Sequence, residues 1–190
     1  WTNGQTTASS TGLAAGQHCV TVTDSLGCVV SDCITITEPS SVTATINPST
    51  VVNVNCFGGS TGQATVTATG GSGVGFTFIW DAAAFNQTTP TAIGLSANIT
   101  YCVTVLDNNG CISNTACISL TEPSVALTAT ASELSPVSCN GGSDGSVQVV
   151  ASGGTPGAGY TFLWNANAGA VNTAAVGGLS IANNPYCVTA

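Results

Sequence analysis

The chain has 190 residues, of which 43% are hydrophobic and only 4% are charged. All of its charged side chains are acidic, and it contains no Lys or Arg that could neutralise the phosphates of nucleic acids or the headgroups of anionic lipids. This composition excludes nucleic-acid binding and direct binding to an anionic membrane surface as functions.

The nine cysteines of the chain predict disulfide bonds. They do not follow a C-x-x-C spacing and the chain has one His, so a zinc site is disfavoured. Disulfides form in oxidising, extracellular compartments. The first ten residues resemble no targeting segment, so we expect an exported protein of this sequence to be an interior section of a longer one.

The sequence repeats itself at a period of about 83 residues. A third copy of the cysteine-containing hairpin segment starts near Pro185, where "PYCVT" matches the earlier "TYCVT". We therefore predict the C-terminal part of one repeat at 1–40, a complete repeat at 41–123 and the N-terminal part of the next repeat at 124–190. The recurring residues form the pairs Cys19 and Cys102, Cys28 and Cys111, Cys56 and Cys139, and Trp80 and Trp164.

Short β-rich runs separated by Gly, Pro, Asn and Ser turns fill the complete repeat. In chain order they are "SVTATIN", "VVNVN", "GQATVTATGG", "GFTFIW", "TPTAI", "TYCVTVLD" and "CISLTE". Seven short strands at this spacing predict an all-β fold of tandem Ig-like β-sandwich repeats. No segment of helical length shows a 3.6-residue period.

The run "GFTFIW" places aromatic side chains at alternate positions, Phe76, Phe78 and Trp80. Because alternate residues of a strand point to the same side, the three rings share one face of the sheet. "GYTFLW" repeats the pattern in the next copy. We predict that these rings pack in the core; the alternative is an aromatic platform that binds sugar.

Two pairs of cysteines flank predicted hairpin turns. Cys102 and Cys117 lie on either side of "DNNG", symmetrically about position 109.5, so we expect them to face each other across the hairpin and to form a disulfide. Cys19 and Cys33 flank "DSLG" in the same way and predict a second disulfide.

The pairing of the other cysteines is open from the sequence. We favour a disulfide between Cys56 and Cys111, which would join two loops of one repeat. The alternative pairing joins Cys28 to Cys56 and Cys111 to Cys139, and these bonds would link neighbouring repeats across the recurring "TEPS".

The segments "GLAAGQHCVTVTDSLGC", "SCNGGSDGSVQVVASGGTP" and "YTFLWN" resemble the SprB-type repeat of very large surface adhesins of gliding bacteria. The shared pattern is a Cys-Asn-Gly-Gly loop, a Gly-Gly-Thr-Pro turn, a Tyr-x-x-x-Trp strand and a Gly-Leu turn into a strand that ends in Gly-Cys. The resemblance implies export by those bacteria's outer-membrane secretion route and display on the cell surface. The hairpin cysteines depart from the family pattern in pairs, which suggests an added staple and a stiffer structural role.

The sequence offers no set of catalytic residues, so we expect the protein not to be an enzyme. The only His, His18, occupies the position of Tyr101 and Tyr186 in the other copies. No cofactor is expected. Calcium at the repeat junctions is the alternative, because Glu38 and Glu122 recur in "TEPS" and carboxylates bind calcium, but each junction supplies few ligands.

Several polar residues have predicted local roles. Asp24 and Asp107 recur in the hairpin turn, where an Asp side chain caps the backbone. Asn86 and Asn98 fit the N-glycosylation sequon. "DSL" resembles the acceptor motif of the gliding bacteria's O-glycans, which would place a glycan on Ser25.

Together these features predict a structural shaft or spacer in a very long extracellular adhesin or filamentous appendage. The alternative is that the repeats are themselves adhesive modules that bind polysaccharide or a partner cell's surface. A third hypothesis is self-association into filaments or bundles, because nearly uncharged surfaces repel one another weakly. The expected partners are therefore neighbouring repeats of the same chain, further copies of it, or surface glycans.

Overall fold

A computed structural model describes residues 1–155, 157 and 159–190. Within these residues the regular structure is β-strand with four short 3₁₀ helices, at Pro48–Thr50, Ala82–Ala84, Ala166–Ala168 and Ile181–Asn183. In the described part of the chain no helix is long and apolar enough to cross a membrane. The strands are β1 Gly16–Thr23, β2 Val29–Ile36, β3 Thr43–Ile46, β4 Gly62–Thr69, β5 Thr77–Trp80, β6 Thr91–Leu95, β7 Thr100–Leu106, β8 Ala116–Ser119, β9 Thr128–Ser135, β10 Gly145–Ser152, β11 Leu163–Trp164, β12 Ala175–Leu179 and β13 Val188–Thr189.

The second repeat is an Ig-like β-sandwich, as predicted. One sheet has the strand order β3-β4-β6 and the other β5-β7-β8, and all of these pairings are antiparallel. The core between them contains Trp80, Leu95, Tyr101 and Leu120, each no more than 1% exposed. Both sheets therefore contribute one apolar face to a single small core.

One predicted strand, "VVNVN" at residues 51–55, is wrong. Val52 forms a single bridge with Gln63 of β4, whereas Val54 N donates to Thr121 O, just beyond β8. The apolar alternation that suggested a strand is present, and Val54 is buried. However, its hydrogen bonds are divided between the two sheets, so the segment crosses from one sheet to the other at the end of the sandwich.

The aromatic alternation builds the core, as predicted. Trp80 is 1% exposed, and Phe76 and Phe78 pack against the same cluster. The indole N–H of Trp80 donates to Thr89 O at 3.0 Å, which satisfies the polar end of the buried ring. The third repeat reproduces this contact, because the indole of Trp164 donates to a backbone carbonyl at 2.9 Å.

The third repeat follows the order of the second. Its sheets are β9-β10-β12 and β11-β13, and its core is built on Val149, Trp164, Ala168 and Leu179. The boundaries of the three units stay a prediction from the sequence period.

The hairpin β1–β2 is the first repeat's counterpart of β7 and β8. Trp1 precedes it and holds the position of Trp80. The residue after each tryptophan donates its N–H to a hairpin cysteine's carbonyl: Thr2 to Cys19 and Asp81 to Cys102, both at 2.9 Å.

The side chain of one residue, Asn114, joins the two sheets of the second repeat by hydrogen bonds. Asn114 lies in the connection between β7 and β8, and its Nδ2 donates to Ala44 O at 3.1 Å while its Oδ1 accepts from Ala44 N at 3.0 Å. The amide thus pairs with β3 as a neighbouring strand would. Asn114 lies between Cys111 and Cys117, a stretch one residue longer than that between Cys28 and Cys33 in the first hairpin.

We expect Asn114→Ala to lower the free energy of unfolding by about 1–3 kcal/mol, because it leaves the N–H and C=O of the buried Ala44 unpaired. Urea denaturation measures the change. Asn109→Ala, in the exposed turn of the same hairpin, is the matched control and should alter stability little. Equal effects of the two substitutions would show that Asn114 does not hold the sheets together.

Candidate functional site: hairpin staples and repeat poles

Each hairpin carries a disulfide between directly opposed residues. Cys102 pairs with Cys117 in the register of β7 and β8, with the Cα atoms 4.1 Å apart. Cys19 pairs with Cys33 in the register of β1 and β2, with the Cα atoms 4.0 Å apart. In β7 the neighbours of Cys102, Tyr101 and Val103, are buried, so the sulfur atoms lie on the face that points away from the core. We name these bonds the hairpin staples.

We expect the double substitution Cys102→Ser and Cys117→Ser to lower the free energy of unfolding by about 3 kcal/mol, because the staple closes a loop of 15 residues. Chemical denaturation without reductant measures the loss. The control, Cys56→Ser with Cys111→Ser, removes two exposed free thiols and should leave stability unchanged. Equal unfolding free energies of the wild-type protein and of the variant without the Cys102–Cys117 staple would contradict this account.

Polar contacts at the two ends of the second repeat join segments that are distant in the sequence. We define the N-terminal pole as Ser40–Ser41, Gly70–Ser72 and Asp107–Cys111. We define the C-terminal pole as Asn53–Gly58 with Asn98 and Thr121–Pro123. Strands β3, β4 and β7 run between these poles, so the poles are separated by the length of the sandwich.

Asp107 organises the N-terminal pole. It is only 4% exposed, its Oδ1 accepts from Asn109 N and Cys111 N, and its Oδ2 accepts from Ser72 N at 3.0 Å. The hydrogen bond from Ser72 N, followed by that from Cys111 N, holds the pKa of the carboxyl below its usual value. The predicted turn-capping role is confirmed, and the carboxylate also links the hairpin to the Gly-Gly turn, which the sequence did not indicate.

The Gly-Gly turn lies against the start of β3. Gly70 has a φ of +81°, and a Cβ on it would collide with Ser41 O. Gly153 has a φ of +78° in the third repeat, where a Cβ would collide with Ala126 O. Only glycine combines this φ with such a close backbone approach. Each repeat therefore fixes its entering chain at the N-terminal pole.

We expect Asp107→Asn to destabilise the protein most at neutral pH. Since the folded-state pKa is lowered, the carboxylate's contribution is complete above the unfolded pKa of about 3.9 and is lost as the pH falls through the folded pKa. The stability difference between wild type and variant should therefore shrink as the pH falls below about 4.

Asp24→Asn is the control for this pH series. Asp24 accepts the two equivalent turn bonds, from Leu26 N and Cys28 N, but is exposed and is not bonded to a Gly-Gly turn in the described residues. Its substitution should cost less at neutral pH. A pH-independent loss in Asp107→Asn, measured by urea denaturation at a series of pH values, would rule out the carboxylate as the cause.

At the C-terminal pole, Glu122 connects three segments. Its carboxylate accepts from Gly58 N and from Asn98 Nδ2, and the adjacent Thr121 bonds both Asn53 and Val54. Both oxygens of Glu122 are thus engaged by the protein. Across the described residues no group of three or more His, Cys, Asp or Glu side chains is placed to hold a metal ion.

A recurring side chain closes the loop before β7. The hydroxyl of Tyr101 accepts from Ser96 N and donates to Ser96 O, and Tyr186 bonds Ser180 in the same way. His18 holds the equivalent position in the first repeat, where its Nε2 lies 2.8 Å from Ala14 O. The only His of the chain therefore fills a structural position.

The predicted disulfide between Cys56 and Cys111 is absent. Cys56 lies at the C-terminal pole and Cys111 at the N-terminal pole, and both are free and exposed. The eight residues of β4 separate the poles by about 25 Å, whereas a disulfide requires Cα atoms within about 7 Å. The alternative pairs do not form either, because Cys28 and Cys139 are also free.

The predicted glycosylation residues Asn86, Asn98 and Ser25 are all exposed. Asn86 follows a 3₁₀ turn and has a φ of +52°. The Nδ2 of Asn98, the atom that a glycan would occupy, donates to Glu122 at 3.1 Å. Glycosylation stays a prediction at all three positions.

Comparison with protein families matches the SprB repeat at residues 49–85 and 131–169. Two segments of the chain are thus similar to the SprB repeat. The first match begins in the 3₁₀ helix Pro48–Thr50 and the second begins within β9. Both continue past the tryptophan strand and end directly after the 3₁₀ helix that follows it. The resemblance found in the sequence is confirmed. No curated protein matches the chain.

The SprB repeat is a structural repeat of cell-surface adhesins, so the two matches suggest an adhesin-like surface repeat region and an extracellular location. In the second SprB segment of the chain, Thr155 follows the Gly-Gly turn and lies beside the C-terminal pole of the second repeat. Neither this contact nor the role of Asn114 was predicted, because both join residues that are distant in the sequence.

Proposed function

We propose that this chain is part of the load-bearing shaft of a long extracellular adhesin or filamentous appendage, exported by the outer-membrane secretion route of gliding bacteria. The observation that carries the proposal is the path of the chain, which enters the complete repeat at the N-terminal pole and leaves it at the C-terminal pole. A repeat connected in this way adds its full length to an array, which is what a spacer requires.

The junction between the second and third repeats supports a pole-to-pole arrangement. A cleft is lined by Asn53–Asn55 and Thr121–Pro123 of the second repeat together with Thr155 of the third. Thr155 follows the Gly153–Gly154 turn and so belongs to the N-terminal pole of its own repeat. One residue of the third repeat's N-terminal pole thus shares a cleft with the C-terminal pole of the second repeat, as a pole-to-pole arrangement requires.

A groove in the third repeat is better explained as an unfilled part of the core than as a ligand site. It lies in the third repeat, between Gly145, Leu179 and Tyr186. In the second repeat the equivalent slot is filled by Leu120, which is 1% exposed and sits where a Cβ on Gly62 would lie. A complete repeat thus closes the groove, which favours a spacer over a binding module.

The adhesive alternative is favoured by two exposed aromatic side chains, Phe57 at 53% and Phe85 at 71% exposure. A glycan array probed with the chain discriminates between the two functions. A shaft should give no signal above that of the double variant Phe57→Ser and Phe85→Ser. Binding to a defined glycan that is lost in this variant would establish an adhesive module instead.

Single-molecule pulling on the whole chain tests the load-bearing function itself. While the staples are intact, the loops between Cys19 and Cys33 and between Cys102 and Cys117 do not extend under force. These loops span 14 and 15 residues. Reduction should therefore lengthen the fully extended chain by about 90 Å. The variant that carries Ser at all four positions is the control and should not respond to reductant. The same extension with and without reductant would contradict a load-limiting role for the staples.

A further inference from the structure

The outer face of the sheet β5-β7-β8 carries a small apolar patch. Along β7 the core-facing residues alternate with Cys102, Thr104 and Leu106, which therefore point outward. Thr104 is directly opposite Ile79 of β5, and Leu106 is directly opposite Ile112 in the connection to β8. Directly opposed residues lie on the same face of a sheet, and here Ile79 is 46% and Ile112 66% exposed. We name Ile79, Leu106 and Ile112, with the adjoining hairpin staple, the staple patch.

The members of the staple patch are neighbours on the sheet. In an antiparallel pair, the diagonal neighbours of a residue lie two positions on either side of the residue opposite it. Ile79 is opposite Thr104, so its diagonal neighbours are Cys102 and Leu106. The staple, Ile79, Leu106 and Ile112 therefore form one continuous surface and are not separate exposed side chains.

Exposed aliphatic side chains recur beside the staple cysteines of the other repeats. In the first repeat Val29 is the counterpart of Ile112, is 63% exposed and lies on the face of the hairpin that carries the Cys19–Cys33 staple. In the third repeat Leu163 is the counterpart of Ile79 and is 58% exposed. The patch is thus a feature of the repeat and not of one domain.

The outer face of the other sheet is richer in hydroxyl groups. It carries three pairs of directly opposed threonines, Thr43 with Thr69, Thr45 with Thr67, and Thr65 with Thr91. The hydroxyl groups of the last pair hydrogen-bond at 2.9 Å. The sandwich therefore presents one face of hydroxyl groups, with Ile93 at its edge strand, and one face with the staple patch.

The staple patch contains no charged residue, although the chain is strongly acidic. Asp81, at the end of β5, borders the staple, but both of its carboxylate oxygens are engaged by the backbone. Its Oδ1 accepts from Ala84 N at 3.1 Å and its Oδ2 from Cys102 N at 2.9 Å. Because the patch is uncharged, two copies of the chain can bring their patches together with little charge repulsion.

We propose that the staple patch is the surface through which two copies of the shaft lie side by side, patch against patch. Equal patches on both partners form an isologous contact, and sheets that pack face to face in this way lie about 10 Å apart. The contact covers the apolar face and leaves the hydroxyl face in water. Pairing goes beyond the proposed shaft, because a single shaft already acts as a spacer, and failure of the pairing would leave that proposal in place.

The area of the patch determines how strongly two copies associate. Three strands about 4.8 Å apart and three rows of side chains about 6.7 Å apart give about 300 Å² for each repeat. A stable complex buries about 800 Å² on each partner. One repeat alone therefore pairs weakly, whereas two long arrays can engage several patches at once. For the 190-residue chain we expect a dissociation constant of about 1 mM, so that the dilute chain is monomeric.

NMR spectroscopy of the ¹⁵N-labelled chain at increasing protein concentration tests the pairing. The free thiols are first alkylated, so that intermolecular disulfides cannot form while the staples stay intact. Between about 0.05 mM and about 1 mM, the amide signals of Ile79, Thr104 and Ile112 should shift, and those of Thr67 and Ile93 on the other sheet should not. Sedimentation equilibrium of the same samples should show a reversible rise of the mean mass toward that of a dimer.

The variant Ile79→Thr with Ile112→Thr removes most of the exposed apolar surface of the patch and keeps β-branched side chains that suit a strand. It should weaken the association about tenfold or more. Val52→Thr with Ile93→Thr is the matched control, because it makes the same change at exposed positions on the side of the other sheet. The control should associate as the wild-type chain does.

Equal association of variant and control, shifts confined to the other sheet, or a lack of any concentration dependence up to about 1 mM would overturn the proposal. Shifts of Ile79 and Ile112 that follow added soluble oligosaccharide and not protein concentration would assign the patch to a glycan and overturn it as well. If the double variant fails to fold, the concentration-dependent shifts of the wild-type chain decide.

Discussion

The alternation of side chains along β7 is the constraint on which most of the repeat depends. Tyr101, Val103 and Val105 point into the core and are each no more than 1% exposed, whereas Cys102 points outward to its staple. The strand ends at Asp107, which holds the N-terminal pole. A slip of one residue would turn the core side chains to solvent and the staple into the core. One strand thus sets the core, the position of the disulfide and the geometry of one pole.

The near absence of charge determines how the poles are built. With no Lys or Arg in the chain, its acidic side chains have no basic side-chain partner other than His18. Asp107 and Glu122 accept instead from backbone N–H groups and from an amide side chain. Charge-assisted bonds of this kind are stronger than neutral ones and fix loops at both ends of the sandwich. Between the poles, the exposed surface of the strands carries Thr side chains such as Thr43 and Thr67 and apolar ones such as Ile79 and Ile93.

The sequence predicts well what is decided locally. The staple pairs follow from symmetry about a turn, the aromatic core follows from alternation, and the Asp caps follow from turn chemistry. The segment "VVNVN" has the pattern of a strand, yet its hydrogen bonds go to two sheets, a choice that depends on the packing of residues far along the chain. The pairing of Cys56 with Cys111 fails for the same reason, since only the sheet topology reveals that they lie at opposite poles. Nothing in the sequence indicates the contact of Asn114 with β3 except one additional residue in the hairpin that contains it.

The central claim is that successive repeats stack pole to pole into an extended shaft. Small-angle X-ray scattering of the 190-residue chain tests it most directly. A compact chain of this length has a radius of gyration of about 16 Å, whereas sandwiches placed end to end, each with strands of about 25 Å, should exceed about 22 Å. A value above that limit that stays constant with dilution is the predicted result. A value near 16 Å would mean that the repeats fold against one another side by side, and would contradict the account.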